Sequence, residues 1–134
     1  MRAAIESVSE QGATIIVVFK SDIGSGKGIW KSRYGAPRIG AAYTVELDVS
    51  KPFELVPARS RAGVELVDER ILLTGLIEAV DEDEVAWLRI APDCLMLIGK
   101  SEHRFTSGET VTLRLETDKF QLTPFGFPPR DRKQ

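Results

Sequence analysis

One cysteine, Cys94, and one histidine, His103, are all this 134-residue chain has of the side chains that most often hold transition metals or carry nucleophilic and acid–base chemistry. A single cysteine excludes an intrachain disulfide and any zinc site built from several thiolates. A transition-metal site would have to consist mostly of carboxylates, which suits few catalytic metals. No metal and no cofactor is therefore expected. Cys94 lies in the run DCLMLI with no basic or histidine neighbour to activate it, and reads as a small buried hydrophobe. His103 stands in the polar stretch KSEHR with no identifiable nucleophile to pair with, so it reads as a surface histidine. No catalytic residue is assigned, and an enzyme is the least supported class.

Long apolar runs are also missing. The longest, at residues 13–19, falls short of the roughly 20 residues that span a bilayer. The opening MRAAIESVSEQG carries two glutamates and no continuous apolar region of a secretory signal, so the expected address is the cytoplasm, with no membrane partner. Internal repeats are absent, which excludes a solenoid, and nowhere does an apolar stripe persist for three helical turns. A strong positive balance is lacking too. The formal net charge is −2 and the pI about 5.5, which argues against wholesale coating of nucleic acid and leaves only a local patch.

What is present is period two. Tyr43, Val45, Leu47 and Val49 alternate with Thr44, Glu46 and Asp48, the pattern of a strand with one buried face. Val111, Leu113 and Leu115 alternate in the same way with Thr112, Arg114 and Glu116. Residues 14–19 are rich in β-branched side chains and follow a Glu10-Gln11-Gly12 turn from a strand at 3–9. Residues 71–80 and 85–90 form a hairpin around Asp81-Glu82-Asp83-Glu84, with Gly75 marking a bulge or bend. Residues 95–98 make a further strand or a short helical turn. Residues 110–116 and 120–123 read as a second hairpin turning at Thr117-Asp118-Lys119, and residues 51–61 as a long connection.

Strands at this spacing predict an all-β domain with at most one short helix, closed or partly closed into a small OB-like barrel, because closure removes exposed edges. The domain covers residues 1–125, and residues 126–134 form a basic C-terminal tail. From the barrel a long glycine-rich basic loop is expected to project. Its Gly24-Ser25-Gly26-Lys27-Gly28 resembles a P-loop only superficially: Ser21 stands where a glycine is needed, Gly28 where a hydroxyl is needed, and no helix pattern follows.

Residues 27–38, KGIWKSRYGAPR, interleave cations with aromatic rings. Between residues 20 and 38 there are five cations (Lys20, Lys27, Lys31, Arg33, Arg38) and one anion, Asp22. Cations that neutralise phosphate beside flat rings that stack bases are the ingredients of a single-strand surface. Lys27, Lys31, Arg33 and Arg38 are assigned to phosphates, and Trp30 and Tyr34 to stacking. The expected function is a non-catalytic binding module for single-stranded nucleic acid. The alternative is a protein-interaction module, such as an accessory subunit or an inhibitor or immunity-type protein, because Trp, Tyr and Arg also dominate protein hot spots. A carbohydrate-binding barrel with Trp30 as platform is a weaker third reading. The five carboxylates between residues 78 and 84 lack EF-hand spacing and read as a solvated hairpin tip, or as a docking patch for a basic protein.

Overall fold

The computed structural model describes residues 1–125; the basic tail expected at residues 126–134 lies outside the described residues. Eleven strands and one 3-10 turn make up the described chain: β1 Arg2–Gln11, β2 Thr14–Ser21, β3 Gly24–Trp30, β4 Ala42–Val49, β5 Glu54–Val56, β6 Gly63–Val67, β7 Arg70–Val80, β8 Ala86–Ala91, β9 Cys94–Ile98, β10 Thr110–Glu116, the turn Thr117–Lys119, and β11 Phe120–Pro124.

Five of these strands close a barrel, as the sequence predicts. β1 pairs antiparallel with β2 and β4, β2 with β3, and β4 with β11. The ring is completed by a parallel pairing of β11 with β3, through Gln121 and Ile29 and through Leu122 and Trp30. Inside lie Ala3, Ile5, Val17, Phe19, Tyr43, Val45, Leu47, Phe120 and Leu122, each nearly inaccessible to solvent. These are the inward members of the alternations read in the sequence, and their burial is the main stabilising force on the barrel.

Between β4 and β11 the chain builds a second sheet, in the order β5–β10–β7–β6, from which the meander β7–β8–β9 continues. It is joined to the barrel where Gly24 of β3 meets Val64 of β6, and most of its buried apolar residues belong to the same core. On its outer face three arginines are each clamped by a glutamate from a neighbouring strand or segment: Arg59 by Glu65, Arg70 by Glu116 and Arg114 by Glu54.

Several expectations are corrected. The glycine-rich segment at 24–28 is not a projecting loop but the body of β3. Its glycines are needed because two stacked rings, Phe19 and Phe120 with centroids 6.3 Å apart, fill the barrel against this strand. A Cβ on Gly26 would lie 2.6 Å from Cζ of Phe19, and one on Gly28 would lie 2.6 Å from the carbonyl oxygen of Phe120.

Residues 51–61 are not a plain connection, since β5 lies within them. Residues 95–98 belong to a strand, not a helical turn. β10 and β11 do not form a hairpin: β10 pairs with β7 and β5, and the 3-10 turn carries the chain from the second sheet back into the barrel. Gly75 marks close approach of β8, as its Cβ would sit 2.4 Å from the carbonyl oxygen of Arg89. The bulge falls three residues later, at Glu78, where the β7–β8 register shifts between Ile77 and Ala79.

Candidate functional site

The structure separates the residues expected to act together. Trp30 ends β3 with only 3% of its surface exposed, its indole edge-on to Tyr43 at 5.1 Å. Its Nε1–H donates to the carbonyl of Gly35 at 3.0 Å. The indole is a core ring and a tether for the segment that follows, and offers no open face for a base or a sugar. That segment is tied down further: Arg38 donates its backbone N–H to the Tyr43 hydroxyl, and Gly40 donates to the carbonyl of Ile5.

Lys27 lies on the barrel wall, with Nζ 2.6 Å from the carboxylate of Glu69 in the β6–β7 turn. Tyr34 is exposed, with the guanidinium of Arg33 5.6 Å above its ring.

Lys31 and Arg33 do meet. With Ser32 they edge a groove of about 640 Å³ where β3 leaves the barrel, completed by Ala13, Thr14, Ile15, Ile29, Trp30 and Thr123. Tyr34, Arg38 and Lys27 are not part of its lining. A larger cavity, of about 800 Å³, lies between the β2–β3 turn and residues 57–65. Its lining mixes Arg59 and Arg61 with Asp22 and Glu65, so it presents no net charge to select a ligand.

A further feature, without a motif in the sequence, stands on the second sheet. The outer face of β7–β8–β9 carries two cross-strand rows, Leu76–Arg89–Leu95 and Ala79–Trp87–Leu97. Leu76, Trp87, Leu95 and Leu97 are 42%, 42%, 40% and 59% exposed. Arg89 sits among them without an open charge. Its Nε and Nη2 hold Glu78 at 2.7 and 3.2 Å, and its Nη1 donates to the carbonyl of Pro92. The hydrogen bond from Arg89 holds the Glu78 carboxyl below its ordinary range, and the same bond raises the Arg89 guanidinium.

The inward residues Ala86, Leu88, Ile90, Cys94, Met96 and Ile98 are buried, so the alternation places Trp87, Leu95 and Leu97 on the opposite face, in water. The signal that could have found this face is the alternation itself. It was hidden because β9 is apolar at every position, which leaves no contrast to show the wet side.

The acidic tip lies beside this face. Oδ1 of Asp81 accepts the backbone N–H groups of Asp83 and Val85, so one carboxylate shapes the turn. Glu84 takes Lys100 and Arg104, whereas Glu82 and Asp83 have no ion-pair partner among the described residues. His103 lies 3.2 Å from Glu109 on the surface. Cys94 is buried, and that burial, the largest influence on it, pushes its thiol up to about 11. Among the described residues no group of three or more His, Cys, Asp or Glu is arranged to hold a metal ion, and no helix is long and apolar enough to cross a membrane. The chain matches no protein-family model, no curated protein and no solved structure.

Proposed function

We propose that this protein is a non-catalytic protein-interaction module that docks its partner on the outer face of β7–β8–β9. The observation that carries this is the grouping of Leu76, Trp87, Leu95 and Leu97, four large apolar side chains in contact with water on one rigid sheet face. Apolar side chains exposed singly need no explanation, but a contiguous group edged by charge marks an interaction surface. A tryptophan surrounded by leucines, beside an arginine already neutralised by its own glutamate, has the make-up of an interface centre. Glu82 and Asp83 at the adjacent tip favour a partner whose apolar patch is edged by lysine or arginine. The burial of Trp30 withdraws the ring on which the nucleic-acid and carbohydrate readings of that segment both leaned. The order β1–β2–β3–β11–β4, closed by a parallel β3–β11 pair, supports reading the scaffold as OB-like.

The test uses the purified protein as bait in an extract of its source cells, beside Trp87→Ala, Leu97→Glu and Glu82→Gln/Asp83→Asn proteins. A partner retained by the wild type should bind Trp87→Ala roughly thirtyfold more weakly, the loss of about 2 kcal/mol expected of a central anchor. The charge variant should slow association and flatten its salt dependence. Equal retention by all four proteins would refute the assignment. A concentration-dependent dimer, abolished by Leu97→Glu in light scattering, would instead identify a second copy as the occupant.

A further inference from the structure

The docking face leaves one feature unexplained: the groove at the end of β3, on another part of the molecule. β9 packs against β4, whereas β2 and β3 lie across the barrel from β4 in the ring order. We propose that this groove binds the phosphodiester backbone of a single-stranded nucleic acid, held by Lys31 and Arg33.

The charge of the groove is the first argument. Neither Lys31 nor Arg33 has a carboxylate partner among the described residues, whereas most other cations of the fold are paired, including Lys20 with Glu6 and Lys27 with Glu69. Among the described residues, no acidic side chain lines the groove. Hydroxyl groups of Thr14, Ser32 and Thr123 complete its polar lining and can donate to phosphate oxygens.

Shape and lining separate a strand from a free phosphate. The groove encloses about 640 Å³, far more than one phosphate group fills, and Ala13, Ile15 and Ile29 give it an apolar floor suited to a sugar or base face. Beside it lies the outer wall of the barrel, which past Ile29 is beyond the groove's own lining. There Ile29 stands opposite Ile16, both half-buried, and Lys27 stands opposite Val18. A chain of linked phosphates can follow that wall, whereas a single phosphate has nothing to gain from it. Two carboxylates flank the site and oppose the charge: Glu46, cross-strand from Thr123, and Glu10, cross-strand from Ile15. Binding is accordingly modest and can be tuned by removing them.

The experiment is an anisotropy titration of a short fluorescein-labelled oligothymidylate with the full chain at several salt concentrations. With two phosphates neutralised, the log–log salt slope should be about −1.4, so affinity falls about sevenfold between roughly 50 and 200 mM salt. Lys31→Gln/Arg33→Gln should abolish the salt-dependent component. Glu46→Gln should tighten binding several-fold, an effect that misfolding cannot mimic. Lys100→Gln, remote from the groove, should bind as the wild type does. Absence of binding at low salt, or binding indifferent to both the Lys31/Arg33 and the Glu46 changes, would overturn the proposal. Displacement of the oligonucleotide by inorganic triphosphate at equal phosphate concentration would overturn the strand assignment in favour of a small phosphorylated ligand. Because the Lys31, Arg33 and Glu46 changes leave the docking face untouched, failure here leaves the interaction reading standing, and the reverse also holds.

Discussion

Replacing Gly28 by alanine separates two opposed views of residues 24–28. In a loose loop the change would stabilise the protein by about 0.4–1 kcal/mol, because alanine restricts the unfolded chain more than glycine does. In β3 the sign reverses. The added Cβ would stand 2.6 Å from the carbonyl oxygen of Phe120, 3.0 Å from its ring and 3.1 Å from Leu122. Ordinary van der Waals contact begins at 3.4 Å, and the tightest neighbour is backbone, which cannot rotate away as a side-chain tip can. Relief requires β3 and β11 to part where their parallel pairing closes the barrel, next to the 2.8 Å hydrogen bond from Lys31 N–H to the carbonyl of Leu122. Overpacking of this kind costs about 1–3 kcal/mol, and a backbone collision at the closure belongs at the upper end, so a net loss of about 2–3 kcal/mol is expected. For a domain of this size that lowers Tm by roughly 6–15 °C. Urea denaturation of Gly28→Ala would be compared with Gly99→Ala, whose Cβ would meet only the tip of Lys51 at 3.5 Å. Gly99→Ala should stay within about 0.5 kcal/mol of wild type. If Gly28→Ala were equally mild or stabilising, the packing of β3 on β11 described above would be wrong.

Two further outcomes follow from buried groups. Thr74 and Thr112, both inaccessible, share a 2.7 Å hydroxyl hydrogen bond, and Thr112 also accepts the backbone N–H of Arg59 at 2.9 Å. Thr112→Val keeps the shape but orphans both partners, so chemical denaturation should show a loss of about 1–3 kcal/mol; an unchanged midpoint would contradict that network. Burial raises the Cys94 thiol from 9.0 to about 11, so at neutral pH native protein should react with maleimide only through unfolding. Because the native state holds this proton more tightly than the unfolded chain, the associated stability is intact below pH 9 and is lost as pH rises through about 11. The wild-type stability curve should therefore fall more steeply across that window than the curve of Cys94→Ala, and parallel curves would refute the assignment.

Much of the β architecture is legible in the sequence where one face of a strand is wet. Residues 43–49 declare themselves because their outward positions are polar and wet, and in 43–49 and 111–116 the inward Tyr43, Val45, Leu47, Val111, Leu113 and Leu115 are all buried; Thr112, expected to face outward, is buried instead, bonded to Thr74. β3 is illegible for the opposite reason. It has the composition of a turn, and the need for glycine comes from Phe19 and Phe120, rings that the fold delivers from β2 and β11. The two tryptophans end in opposite environments. Trp30, amid cations and glycines, points into the core, and Trp87, amid leucines, points into water. Of the six residues assigned to the single-strand surface, only Trp30, Lys31 and Arg33 line the groove, and Trp30 does so from within the core.

The sequence by itself determined the class of fold, the positions of the longer strands, the scarcity of metal-binding and nucleophilic side chains, and the local excess of positive charge near residue 31. Those follow from composition and from the two-residue repeat of a strand, both local properties. Tertiary structure alone decided that β11 leaves its neighbour β10 to close the barrel on β3, that Arg59, Arg70 and Arg114 are each clamped by a glutamate, and that the β7–β8–β9 face stays open. Each depends on contacts between segments far apart in the chain, where pairing partner and burial are set by the summed packing of the core and not by any local pattern.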